Sequence, residues 1–209
     1  MSRFRMYSCC KFYISLNFKS SLVKAYLNDN NSEDEIRYIE EKKPLGTTGA
    51  LYLLKNKIRT TFFLINCDIL IEADYGDILR YHKKSGNQIT LVTAMKNYTI
   101  PYGICDIHKG GKLKRITEKP EYDLLVNTGM YILEPEIIKD IPPNTFFHMT
   151  DLVNAYLKRG LKIGAYPISG KAWLDIGQID GLVSTLDCFG INIKKDESQL
   201  ARLSENLNR

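Results

Sequence analysis

No cysteine pattern in this sequence fits a zinc site or a redox pair. Cys9, Cys10, Cys67, Cys105 and Cys188 make an odd set of five, with neither metal-type spacing nor a CxxC. Adjacent Cys9 and Cys10 are poorly placed to bond to each other. Reduced thiols, and hence a cytoplasmic protein, are the expectation. No apolar run approaches the roughly 18 residues of a membrane span, so no membrane partner is expected. The opening stretch, MSRFRMYSCCKFYISLNF, mixes basic and apolar residues. It lacks the clean apolar centre and small-residue cleavage site of a signal peptide. There is no basic stripe either. The formal net charge is +5, and the densest basic group is Arg3, Arg5 and Lys11, which argues against a nucleic-acid partner. Internal repeats, low-complexity tracts and linkers are absent as well.

What remains is ordinary globular material. The chain has 209 residues, 44% apolar and 25% charged, enough to form one self-stabilising core. Apolar alternation and runs predict strands over 11–16, 35–40, 61–65, 88–94, 125–133 and 162–168. The run TFFLI at 61–65 reads as a fully buried parallel strand. Helices are expected over 20–27, with Leu22, Val23, Tyr26 and Leu27 on one face, and over 48–54, 75–84, 134–140, 151–159 and 179–189. Residues 103–107 and 112–118 read as a hairpin around His108-Lys109-Gly110-Gly111. The alternation of strand and helix in the first half predicts an α/β fold with a mainly parallel sheet and helices on both faces. The expected organisation is a domain over 1–190 and a polar tail over 191–209.

Four segments carry residue types suited to chemistry. In Pro44-Leu45-Gly46-Thr47-Thr48-Gly49-Ala50 two glycines permit close approach of a ligand, and amides at a helix start favour a nucleobase or phosphate. The alternative is a tight turn with no ligand. The strand at 61–65 ends in Asn66-Cys67-Asp68, where open α/β sheets bind ligands. A carboxylate there can hold Mg²⁺, which needs few protein oxygens, or it can simply cap a turn. Trp173-Leu174-Asp175-Ile176-Gly177 offers a second carboxylate beside an aromatic and a glycine. Glu118-Lys119-Pro120 pairs an acceptor for sugar hydroxyls with a cation for a phosphate, or is a surface ion pair before a turn.

Taken in order, PLGTTGAL, FFLINCD, PYGICDI, ITEKP, VNTGMYIL, FFHMTDLVNAY and AYPISGKAWLDIG resemble the sugar-phosphate nucleotidyltransferase family. Mannose-1-phosphate guanylyltransferases and glucose-1-phosphate thymidylyltransferases belong to that family. The likeness covers roughly residues 11–183 and is strongest to the guanylyltransferase-like branch. It implies a Rossmann-like (GT-A-like) sheet with a small antiparallel insertion. It also implies base contacts at Gly46, Thr47 and Gly49, and Mg²⁺ held by Asp68 and Asp175. The implied sugar-phosphate pocket is lined by Tyr102, Gly103, Glu118, Lys119, Asn127, Thr128, Gly129 and Trp173. Asp68, Asp175 and Lys119 would be the catalytic set. The implied partners are a nucleoside triphosphate and a sugar phosphate, and a homo-oligomer is allowed.

One departure bears on activity. The family opens with a strand and a GGxGTRL loop that cradles the triphosphate, and MSRFRMYSCC contains no glycine. The expectation is therefore an N-terminally truncated form of the fold. Transfer of a nucleoside monophosphate to a sugar phosphate is one implied function. The other is an inactive fragment that binds sugar nucleotides or a partner subunit.

Overall fold

The structure is a computed structural model that describes residues 1–30 and 35–177. In chain order the elements are α1 (Ser2–Arg5), β1 (Lys11–Leu16), α2 (Ser20–Asn30), β2 (Glu35–Glu40), α3 (Gly46–Gly49), β3 (Phe62–Ile65), β4 (Ile69–Ile71), α4 (Tyr75–Ser85) and β5 (Ile89–Thr99). Then follow β6 (Ile104–Ile107), β7 (Leu113–Thr117), β8 (Glu121–Leu133), α5 (Met149–Lys158), β9 (Ile163–Ile168) and β10 (Trp173–Asp175). Short 3₁₀ turns cover Ala50–Leu54, Pro135–Asp140 and Gly170–Ala172. The helix expected at 179–189 and the tail at 191–209 lie outside the described residues.

The largest sheet has the order β3–β8–β5–β9, and three two-stranded sheets accompany it. β1 pairs with β2 in parallel, Lys11 opposite Glu35 through Leu16 opposite Glu40. The fold class is α/β, as the sequence implies, and the sheets are mixed. β3 corrects one expectation. It runs antiparallel to β8, Phe62 opposite Leu133, and its four residues are half-buried. The reason is its place at the edge of its sheet, where one side has no covering strand among the described residues. The hairpin forms as expected, β6 against β7, with Gly110 and Gly111 at φ +88° and +81° in its turn.

Contacts divide the chain into two compact units, the first comprising residues 1–66, 74–91 and 130–166. Its core joins Leu51, Leu54, Ile89, Leu133, Ile137 and Leu152 with their neighbours. α4 starts at Asp74, whose carboxylate accepts from the Asp77 amide at 3.0 Å, a side-chain N-cap. It stops at Gly86, left-handed at φ +62°. Between those ends Tyr75, Ile78 and His82 fall on one face and are buried, the helical spacing of a core stripe. α5 repeats the pattern with Met149, Leu152 and Tyr156, and its first turn is tied by the His148 amide donating to Asp151 Oδ2 at 3.0 Å. α2 behaves differently. Its apolar residues form two adjacent rows, and only Val23 and Leu27 are half-buried. Leu22 and Tyr26 are 67% exposed, so the single covered face expected from the sequence is not formed.

His82 is fully buried on α4. Its Nδ1 lies 2.8 Å from Thr90 Oγ1 and its Nε2 3.0 Å from Glu134 Oε1. Asn87 donates to the same Thr90 oxygen at 3.0 Å, and Thr61 donates to Glu134 at 2.9 Å. A neutral ring with the proton on Nε2 satisfies every partner. Nε2–H donates to Glu134, and the Thr90 hydroxyl donates to Nδ1. Burial holds the His82 pKa below its usual value, and Glu134 pulls partly the other way.

The second unit comprises residues 67–73, 92–129 and, among the described residues, 167–177. It contains β4, β6, β7, β10 and the outer parts of β5 and β8.

Candidate functional site

Most of the residues singled out in the sequence lie in the second unit. After β3 the chain passes Asp68 and enters β4, which pairs antiparallel with β10 so that Asp175 stands opposite Ile69. The Ile176 amide donates to the Asp68 carbonyl at 2.8 Å, and the Gly177 amide donates to Asp175 Oδ1 at 3.0 Å. These bonds draw the two acids together around Gly177. A Cβ built on Gly177 would lie 2.8 Å from Asp68 Oδ2 and 3.3 Å from Asp175 Oδ1. The two oxygens are therefore at most about 6 Å apart, inside the ~10 Å beyond which one ion with contacts near 2.1 Å could not touch both groups. Asp68 is exposed and Asp175 half-buried. No group of three or more His, Cys, Asp or Glu is placed to hold a metal among the described residues. A pair of carboxylates suits a hard, oxygen-seeking ion that keeps its other positions for water and phosphate, which is the habit of Mg²⁺.

The same unit holds the PYG and EKP segments, and the structure ties them together. The Ile100 amide donates to the Pro120 carbonyl at 3.0 Å. Glu118 lies against Gly103, where a Cβ would come within 2.9 Å of its Oε2. Tyr102 is 74% exposed. Lys119 is also exposed, on backbone at φ +42°. Asn127, Thr128 and Gly129 sit differently. Asn127 Oδ1 accepts from the Gly129 amide at 3.2 Å, which holds Gly129 at φ +83°. Thr128 is buried, and its hydroxyl donates to the Val92 carbonyl at 2.8 Å. That hydroxyl is engaged inside the fold rather than offered at a surface.

Trp173 and Asp175 are two apart on β10 and so share a face. Trp173 is half-buried. Its Nε1 is buried with no hydrogen-bond partner among the described residues. The Lys96 Nζ stands 5.0 Å from the centroid of its ring. Lys96 was not foreseen as a site residue; in the sequence it only closes the apolar run QITLVTAM.

The loop at 44–50 belongs to the first unit. Gly46 has φ +75°, and a Cβ there would meet the Phe147 carbonyl at 2.9 Å. On Gly49 it would meet the Thr145 carbonyl at 2.5 Å. The amides of Thr48 and Gly49 both donate to the Phe147 carbonyl, at 3.1 and 3.2 Å. Thr47 Oγ1 accepts from the Met149 amide at 3.2 Å. The close approach that these glycines permit is thus to the backbone at 145–147. Gly49 is buried, while Thr47 remains exposed and Gly46 half-buried.

Comparison with known proteins bears on all these segments at once. A family model described as nucleotidyl transferase matches residues 1–187, across both units. The mannose-1-phosphate guanylyltransferase catalytic subunit beta of Dictyostelium discoideum is 25% identical over 195 residues, covering 90% of this chain and 54% of that protein. A mannose-1-phosphate guanyltransferase of Pichia angusta is 26% identical, covering 92% and 55%. The chain thus spans about half the length of the curated relatives it matches. Among solved structures, HddC from Yersinia pseudotuberculosis superposes with TM-score 0.69 at 24% identity, covering 90% of this chain and 83% of that one. A putative glucose-1-phosphate thymidylyltransferase from Bacillus anthracis follows at TM-score 0.66 and 19% identity, covering 92% and 80%. Those two likenesses speak for the fold; the match over 1–187 speaks for descent, and by it the chain belongs to the nucleotidyl transferase family.

Proposed function

We propose that this chain serves the transfer of a nucleoside monophosphate, with guanosine favoured, from a triphosphate to a sugar phosphate with release of pyrophosphate. The observation that carries this reading is the meeting of Asp68 and Asp175 at the bare face of Gly177. The names of the relatives, mannose-1-phosphate guanylyltransferases, support the substrate pair. The HddC structure in complex with GMP-PN supports the nucleotide half. No helix among the described residues is long and apolar enough to cross a membrane.

In the proposed reaction a phosphate oxygen of the sugar phosphate attacks the α-phosphorus. The bond between that phosphorus and the bridging oxygen breaks, and pyrophosphate carries away the electron pair. Mg²⁺ held by Asp68 and Asp175 would supply charge neutralisation at the phosphates. Glu118, set against Gly103, accepts sugar hydroxyls, and the exposed Lys119 offers a cation. Gly46 and Thr47 are the loop residues left open to a base. Catalysis of this kind is mostly positioning and electrostatics.

A second reading is favoured by one sequence fact. The 209 residues hold no GGxGTRL run. Where no backbone cradle meets the triphosphate, ligand can bind but turnover is slow. Loss of a single such donor costs about 10²–10³ in rate. Purified chain mixed with Mg²⁺, a panel of triphosphates, and mannose 1-phosphate or glucose 1-phosphate separates the two, with pyrophosphate followed. Release slower than about 1 s⁻¹ is expected, fastest with GTP and mannose 1-phosphate. Turnover at about 1 s⁻¹ or above, the ordinary enzyme range, removes the second reading. Absence of both release and ligand binding removes the first.

A further inference from the structure

Lys96 and Trp173 present two groups that the fold leaves unsatisfied side by side. The turn that leads into β10 is brought against β5 at Gly170, where a Cβ would collide with the Met95 carbonyl and stand 3.8 Å from Lys96 Cδ. Only a residue without a side chain lets the two backbones approach so closely. The result is an ammonium 5.0 Å from the indole centroid, within the range of a cation–π contact. Lys96 makes no ion pair among the described residues. The nearby Asp123 carboxylate instead accepts from Asn97 at 3.0 Å. The indole Nε1–H is buried and donates to nothing among the described residues, although indole N–H groups are normally paired when buried. Among the described residues the half-buried Lys96 and the orphaned indole donor both lack an acceptor that carries negative charge. Two residues along the same strand face stands Asp175, which meets Asp68 at Gly177.

We infer that Lys96 and Trp173 form an anchor for a phosphate oxygen beside the two carboxylates. The Lys96 ammonium supplies charge, and the Trp173 N–H supplies direction. The oxygen could come from the sugar phosphate or from the triphosphate, and the shared chemistry is the anionic phosphate oxygen. Lys96 is then a binding residue of the site, additional to Lys119. This inference rests on the reading given under Proposed function.

Trp173 is the chain's single tryptophan, so its fluorescence, excited selectively over the tyrosines, reads this place alone. The full chain is titrated with inorganic phosphate, with mannose 1-phosphate and with GTP, each without and with Mg²⁺. At least one of the three should change the tryptophan emission saturably, and which one identifies the source of the oxygen. In Lys96→Met the side-chain stem remains and the charge is lost. Its affinity for that probe should fall about tenfold or more, the loss of one charged hydrogen bond. Lys96→Arg should recover most of the affinity, and Lys109→Met, which removes the same charge from the hairpin turn, should change nothing. The inference is overturned if saturating probe leaves the emission unchanged. It is also overturned if Lys96→Met binds within twofold of wild type, or if Lys109→Met weakens binding as much. Binding is read here without turnover. A chain that shifts its emission as described but releases no pyrophosphate would fail the catalytic reading and keep this one.

Discussion

If Asp68 and Asp175 share one divalent ion, neutralising Asp175 has a calculable floor. Opposite unit charges 4 Å apart attract by about 1 kcal/mol in bulk water, so a divalent ion gains about 2 kcal/mol from one carboxylate, about thirtyfold in affinity. Asp175 is half-buried, and a direct ligand sits closer than 4 Å, so both corrections raise the figure. Asp175→Asn keeps the shape and can keep the bond from the Gly177 amide, so the fold should persist. The steric arm is Gly177→Ala. Its methyl carbon would land 2.8 Å from Asp68 Oδ2 and 3.3 Å from Asp175 Oδ1, in the space where an ion would have to sit, without altering either charge. Mn²⁺, which takes the same oxygen ligands, reports through the electron paramagnetic resonance of the free ion. Asp175→Asn should weaken Mn²⁺ binding at least about thirtyfold, and Gly177→Ala should weaken it too, with thermal midpoints near wild type. Mn²⁺ affinity within twofold of wild type in Asp175→Asn would show that the carboxylates meet for another reason, and the metal assignment would be abandoned.

Two further outcomes concern the first unit. Gly49→Ala should lower stability by about 1–3 kcal/mol, because its new methyl meets the Thr145 carbonyl at 2.5 Å and backbone cannot swing aside; an unchanged urea midpoint would contradict the packing described. His82 should make stability depend on mild acid. Its folded pKa is lowered by burial, so the unfolded chain takes up the proton first, near pH ~6.5. Stability is then complete above that value and declines as pH falls from there toward the folded pKa. Thermal midpoints between about pH 7.5 and 5.5 should drop more steeply for wild type than for His82→Gln, and parallel profiles would rule His82 out as the cause.

The elements legible in the sequence are those whose pattern is local. β2 matches its expected bounds, and α4 and α5 fall within two residues of theirs at either end, because alternation, a capping Asp and a terminal Gly are all near neighbours in the chain. β4 and β10 were not foreseen. Each has only three residues, and each forms because the other lies opposite it from far along the chain. The same distance effect governs the site. Asp68 and Asp175 were legible as carboxylates at suggestive positions. What makes them meet is the Ile176 amide on the Asp68 carbonyl, a contact no spacing announces. Lys96 was invisible for the same reason, since its partner is an aromatic on a strand that could not be read. Gly49 shows the opposite case. Its glycine was read as room for a ligand, and the backbone at Thr145 takes that room.

These placements separate two kinds of work. In the first unit the amides of Thr48 and Gly49 are already spent on the Phe147 carbonyl, so Gly49 serves packing there. In the second unit several charged or polar groups lie on or next to the short pair β4 and β10. They are two acids meeting at a glycine, an orphaned indole N–H and a lysine over its ring. Unpaired polar groups cost stability, and a fold keeps such a cluster where something else supplies the missing partners. Acids call for a cation, and the lysine and indole call for an anion. A metal-bound phosphate would meet both demands together, so the proposed anion and cation sites would be one.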